Sequence, residues 1–520
     1  MKKKALCLIV LLLMLPLSAL AKTTSLNFGI VSPVDATLRP LELNQRDLVS
    51  VLGLVYEGLF RIDDDYQPQP SLAFSYEFTN EGRRLIVTLR DDVTFHNGNP
   101  LTAHDVVATL DKMYELSGFD GDLNSTINLE ERGLYYSTFY SLRSWSAQDD
   151  RTLLFNLRRG CYGALYALTF PILPASEIEY ETPSGTGPYR YDGYEQGSRI
   201  WLAVNPNWWQ RPPQIRNISA SIYPDSESVL AAYDRRDIDV ATSRSINASR
   251  YSGSYTSFSM SARSRQLEVL LINRANALFQ SDESGQNLVR EAISYAIDRS
   301  ALINSIYQGM ATLAYGPLPP GSWLSQESLT ADRYDPLMAA SLLDRAGWKL
   351  ADDGNRYKNG KKMNTIYLLV YDEPSSTVRT NAANKLREQL EAVGFSVTVN
   401  TRPLEFVQGK LRSGDYTLCL AAFNFDISPD PGFTVTSTGS CNFTRYRSKE
   451  MNDLLGVLRK SWTQESYREA MTAILDKFNA DLPYLPLYWR ASALLTRASF
   501  TSARDIRELE LLRGIESFED

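Results

Sequence analysis

Apolar residues recur along this chain at two spacings, and the two divide it into strands and helices. Near-alternating or continuous apolar runs bounded by turn residues predict strands at 25–31, 72–78, 85–90, 153–157, 200–204, 218–223 and 266–273. Helical spacing places Leu48, Val51, Leu52 and Val55 on one face and predicts a helix over 48–60. A second helix begins at Thr102, with Asp105 three residues on as a capping box, and buries Val106, Val107, Leu110 and Met113. A third carries Val289, Ala292, Ile293, Ala296 and Ile297; Asp298 caps the next, which Gly309 stops.

From residue 364 onward strands and helices alternate: strand 366–371, helix 378–392, strand 395–400, helix 404–411, strand 416–422. Such alternation implies a parallel or mixed sheet covered by helices, an α/β architecture. Ligands of such sheets lie beyond the carboxyl ends of strands. The segments after Val370 and Ala422 are therefore where a site is expected.

Length and composition fit a folded chain of two to four domains, since 520 residues with 43% apolar and 22% charged content support a large core. Lys2, Lys3 and Lys4 precede an apolar run from Ala5 to Leu15, and Ala19-Leu20-Ala21 has the small-x-small form of a cleavage site. The mature chain is expected to begin near Lys22. This run is shorter than a membrane span and is broken by Pro16, and no later run reaches about 18 residues, so a water-soluble exported protein is expected. Cys7 sits within the apolar run rather than after the cleavage point, so no lipid anchor is expected, and a Gram-negative periplasm is the expected address. Without the leader, 51 basic residues face 61 acidic ones, a net charge near −10 that disfavours nucleic acid as a partner.

Cys161, Cys419 and Cys441 remain in the mature chain. In an oxidising compartment one pair can bridge and one thiol is left over. Cys419 with Cys441 is the favoured pair, because they flank one loop region; three buried, unbridged small residues is the alternative. The two histidines, His96 and His104, are eight residues apart, in a turn and near a helix start. That spacing matches no zinc site, so no metal is expected.

Two separated clusters carry a sharper signal. Gly185-Thr186-Gly187-Pro188-Tyr189 predicts a tight bend entering a β-hairpin, a shape suited to a hinge, and Asn205-Pro206-Asn207-Trp208-Trp209 follows the returning strand. Together they resemble a signature of the family 5 extracellular solute-binding proteins, the peptide-binding receptors of bacterial ABC importers. Further phrases resemble that family: Tyr56-Glu57-Gly58-Leu59, the run from Phe95 to Val106, Val289 to Arg299, and Gly316-Pro317-Leu318-Pro319-Pro320-Gly321. The resemblance implies a type II periplasmic binding-protein fold of two lobes with an additional inserted domain and the ligand in the interlobe cleft. It implies a signal peptide at 1–21, a first lobe from 22–62, 184–262 and 489–520, an inserted domain at 63–183 and a second lobe at 263–488.

The loop after the strand ending at Ala422 reads Phe423-Asn424-Phe425-Asp426-Ile427-Ser428-Pro429-Asp430. Read from the residues alone, it is a rigid Pro-rich turn with two aromatics and one carboxylate, or a solvated acid beside core phenylalanines. The resemblance implies that Asp426, with Asp430 as the alternative register, pairs with a peptide's α-ammonium, and that Phe423, Asn424 and Phe425 line the same site. Ser32, Pro33 and Tyr371 are expected to add contacts from other strand ends. Arg379 is expected to be a surface helix arginine in preference to a ligand contact. The function implied is capture of peptides by hinge closure and delivery to a permease in the inner membrane, by a monomer with no cofactor. Oligosaccharides or metal-chelate complexes are the alternative cargoes. An exported hydrolase is a further alternative, although no Gly-x-Ser-x-Gly, no His-Glu-x-x-His and no triad context is present; a carboxylate-pair glycosidase would escape that test.

Overall fold

The structure is a computed structural model that describes residues 24–119, 135–251, 258–280, 287–325, 333–373, 376–497 and 506–515. The leader expected at 1–21 lies outside the described residues.

One mixed sheet organises the molecule. In chain order its principal strands are β1 (Ser25–Val31), β2 (Tyr189–Glu195), β3 (Arg199–Val204), β4 (Asn217–Tyr223), β5 (Val240–Ser243), β6 (Phe258–Ile272), β7 (Ile366–Tyr371), β8 (Val397–Arg402), β9 (Leu418–Asn424) and β10 (Leu485–Thr496). Their spatial order is β8-β7-β9-β6-β10-β5-β1-β4-β3-β2, with a short strand at Ala311–Leu313 added against β10. The long antiparallel pair β6 and β10 joins the two halves. Residues Phe258 to Arg263 pair with Thr496 to Ala491, and Leu267 to Leu270 pair with Trp489 to Leu485. Between these runs the register breaks after Arg263, and a second irregularity follows at Glu268/Val269. Bulges of this kind bend the strand and increase its twist, so the ladder is weakest where the halves meet.

Helices cover the sheet because their apolar stripes need partners. The helix α1 (Arg46–Leu52) buries Leu48, Val51 and Leu52 against the first half but ends at Gly53, seven residues before the expected end at 60. The helical pattern stops there because the Leu54 and Val55 carbonyls accept backbone N–H groups from Tyr189 and Gly187. In the second half β7 is parallel to both β8 and β9, as the alternation of elements implies. The helix α3, which follows the capping-box helix α2 (Ala103–Ser117), spans Val378–Ala392 and packs Ala382, Ala383, Leu386 and Leu390 into the second-half core.

Residues between β1 and β2 build a separate four-stranded antiparallel sheet, in the order Ala73–Thr79, Arg84–Leu89, Thr152–Leu157, Leu142–Ala147. The Thr102–Asp105 capping box starts α2 as expected; both reciprocal contacts are present. This unit is not isolated. Tyr162 donates its backbone N–H to the Ser461 carbonyl (2.8 Å), and Trp323 Nε1 donates to the Tyr166 hydroxyl (3.0 Å), tying it to the second half.

Candidate functional site

The glycine-rich motif has a structural task that its spacing alone does not reveal. A Cβ on Gly185 would lie 1.9 Å from the Val55 carbonyl oxygen, and one on Gly187 2.5 Å from that of Leu54. Only glycine admits the chain that close. Around this contact Glu57 accepts hydrogen bonds from Thr186 Oγ1 (2.9 Å) and Trp209 Nε1 (3.0 and 3.2 Å), so three separate sequence phrases meet at one carboxylate. His96 completes the knot. Its Nδ1 accepts the Gly185 N–H (3.2 Å) and its Nε2 lies 3.0 Å from the Gly187 carbonyl oxygen. Burial holds its pKa below the usual imidazole value. The bend expected to be a hinge is therefore packed into the first half, away from the strands that cross between halves. His104 is exposed and 3.7 Å from Asp150.

The crossing point holds a buried charge network. Glu268, fully buried, accepts two hydrogen bonds from Arg379 (2.7 and 2.8 Å), and Arg490 Nε lies 3.0 Å from it. Glu373 accepts from Arg379 Nε (3.0 Å) and Arg490 Nη2 (3.1 Å). Arg379 is thus not a surface residue. At 4% exposure it closes a set of two glutamates and two arginines, and the sequence missed it because Glu268 and Arg490 come from distant elements. The cysteine pair is likewise corrected: Cys161, Cys419 and Cys441 are all free, and burial raises the Cys161 and Cys419 thiols to about 12. Cys419 is fully buried on β9, and Cys441 is half-buried.

The segment after Ala422 runs along the end of β9. Gln266 pairs with Asn424, and the Phe425 N–H donates to the Arg265 carbonyl (3.0 Å), which fixes the loop against β6 at the register break. Phe423 and Phe425 are buried, with ring centroids 5.2 Å from Tyr484 and 5.5 Å from Trp489 respectively. Their faces are committed to protein rings. Asn424 and Asp426 are exposed. Asp426 accepts the Ile427 N–H (2.7 Å) and the hydroxyl of Ser137 (3.0 Å), which reaches it from the inserted unit. Asp430 differs, because Arg459 grips it at 2.6 and 3.2 Å and already neutralises it. The other expected residues sit elsewhere on the sheet ends. Ser32 is buried at the end of β1, its hydroxyl donating to the Pro33 carbonyl, and Pro33 is exposed. Tyr371, half-buried at the end of β7, has the Arg379 guanidinium 5.9 Å from its ring centroid. No contact joins either position to Asp426 among the described residues. Nor is there a cluster of three or more metal-ligating side chains among them.

Two helix-covered halves joined by a bulged strand pair, with an extra unit leaning across, define a two-lobed solute-binding receptor of the type II periplasmic class. The chain belongs to the bacterial extracellular solute-binding proteins, family 5, whose model matches residues 67–445. That family comprises solute-binding proteins, not enzymes. Among its relatives is the oligopeptide-binding protein AppA of Bacillus subtilis, 25% identical over 478 residues covering 84% of this chain and 81% of that one. The nickel-binding periplasmic protein of Escherichia coli K12 is 22% identical over 473 residues, 86% of this chain and 85% of that one. The crystal structure of NikA from Brucella suis in complex with Fe(III)-EDTA superposes with a TM-score of 0.76 at 19% identity, covering 95% of this chain and 99% of that chain. No helix among the described residues is long and apolar enough to cross a membrane.

Proposed function

We propose that this chain is a periplasmic receptor, acting as a monomer, that closes over short peptides and presents them to an ABC-transporter permease. The observation that carries the reading is the state of Asp426. It is the carboxylate at the β9 end that has no arginine or lysine within ion-pair distance among the described residues; its contacts are a hydroxyl and a backbone N–H. A ligand ammonium can replace the Ser137 hydroxyl and gain a charge-assisted contact that strengthens as water leaves. Asn424 offers amide groups beside it, and exposed backbone at strand ends can pair with peptide main chain irrespective of side chain. The register break between β6 and β10 is the flexible point about which the halves would close, and closure is what a permease would recognise. Ser32, Pro33 and Tyr371 are then contacts made only in the closed form.

The test is native mass spectrometry of gently purified protein, followed by calorimetric binding of the cargo so identified to wild type and to Asp426→Ala. Peptide masses and a loss of at least about tenfold in affinity are expected. Unchanged affinity in the variant refutes the ammonium anchor, and retained sugar or metal chelate refutes peptide cargo.

A further inference from the structure

The inserted unit is attached to both halves of the molecule, and the two attachments differ in kind. Toward the first half it is interlocked through backbone. The His96 N–H donates to the Gly185 carbonyl (2.8 Å) and the Ile172 N–H to that of Glu57 (3.0 Å), while the Arg90 guanidinium lies 4.2 Å from the Trp209 ring centroid. Together with the two His96 ring contacts, these place the unit and the first half in one closely packed body.

Toward the second half the attachment is a seam of rings and loops. Trp323, buried, donates its backbone N–H to the Asp65 carbonyl (2.7 Å), and its ring is stacked on that of Tyr467 with centroids 6.4 Å apart. Tyr162 of the inserted unit meets both rings, at centroid distances of 5.8 and 5.7 Å. At the rim of this seam stands Trp462, 38% exposed, in the loop between the second-half helices Lys449–Leu458 and Gln464–Asp481. It covers a seat built from two glycines of the inserted unit. A Cβ on Gly82 would lie 2.2 Å from the Trp462 Cβ and 3.1 Å from the Gly160 Cα, and one on Gly160 would lie 2.3 Å from the Glu81 carbonyl oxygen. Side chains are excluded from both positions, which leaves a flat surface for the indole.

We propose that this seam is a latch between the halves and that Trp462, seated on Gly82 and Gly160, is its catch. The proposal rests on closure about the β6–β10 register break and not on what the cargo is. Because the inserted unit is fixed to the first half, the cleft can open about that break only if the seam parts. A few rings and single backbone hydrogen bonds suffice to bias a two-state equilibrium of a few kcal/mol, and the latch thereby sets how much of the empty receptor is closed. Trp462 acts at the rim, where parting begins, and touches neither Asp426 nor the crossing strands among the described residues.

The experiment uses the full mature chain, unfolded and refolded so that no cargo remains. Solution scattering reads the radius of gyration, and hydrogen exchange reads the Tyr162 and Trp323 amides, whose N–H groups cross the seam to Ser461 and Asp65. In Trp462→Ala the radius of gyration is expected to rise and both amides to exchange about fivefold faster or more, while the amides of β1 keep their rates. Gly82→Ala drives the indole from its seat and is expected to reproduce both changes, with the double variant adding little to either single one. Gly354→Ala carries the same φ of +76° with open space around the new methyl, and is expected to move neither readout. Trp462→Phe, which keeps a flat ring and carries the test should the alanine variant not fold, is expected to show a smaller change of the same sign. Faster exchange at the two amides with an unchanged radius of gyration makes the seam fixed packing that frays, and overturns the latch. A larger radius without faster exchange there, or no change in either readout, overturns it equally. Neither readout uses cargo, so failure of the peptide-receptor reading leaves this outcome standing by itself.

Discussion

His96 accepts the Gly185 N–H at Nδ1 and faces the Gly187 carbonyl with Nε2, and only the neutral ring with its proton on Nε2 fills both roles. Its folded-state pKa is depressed below 6.5, so the stability it contributes is complete above that value and is lost as pH falls through the folded pKa. The melting temperature is expected to fall between pH 7 and pH 5 more steeply in wild type than in His96→Gln, which lacks this titration. A second residue-scale expectation concerns Arg379. Replacing it with Met leaves the Glu268 carboxylate buried beside Arg490 alone, and a loss of about 3–5 kcal/mol in urea denaturation is expected. Adding Glu268→Gln to that variant is expected to restore part of the loss, since the stranded charge is removed. Neither role could be read from the sequence. His96 was legible as a turn residue and Arg379 as a helical one, but the partners that bury them, Gly185 and Glu268, lie 89 and 111 positions away.

At the scale of elements, local pattern was a good guide wherever a segment's own periodicity settles its structure. The strands β1 and β7 and the helix α3 have the expected bounds, and the Thr102 capping box and Asp298 cap are in place. Expectation failed at the end of α1, where residues 54–55 have helical spacing but serve as backbone acceptors for the Gly185 motif. The motif itself was legible as a bend and not as a clamp, since its glycines answer to a neighbour 130 residues away in sequence. Gly185→Ala is therefore expected to destabilise the chain by about 3 kcal/mol, measured by chemical denaturation, because its Cβ would overlap the Val55 carbonyl. A hinge glycine would instead tolerate alanine and change closure.

At the scale of the whole molecule, the ladder between β6 and β10 is continuous through both halves except at its bulges, where the proposed closure would bend it. Saturating cargo is expected to reduce the radius of gyration in solution scattering and, at a hundredfold excess over Kd, to stabilise the fold by about 2.7 kcal/mol. The sequence by itself determined the alternation of strands and helices, the family signature and the exposed acid loop, because period, capping and turn chemistry act over a few residues. Tertiary structure alone decided which charges are spoken for. Asp430 is matched to Arg459 and Arg379 to Glu268, while Asp426 is held by a hydroxyl and a backbone N–H. The reason is physical: ion pairing and desolvation depend on distance in space, and residues from separate elements acquire that distance only when the sheet is assembled.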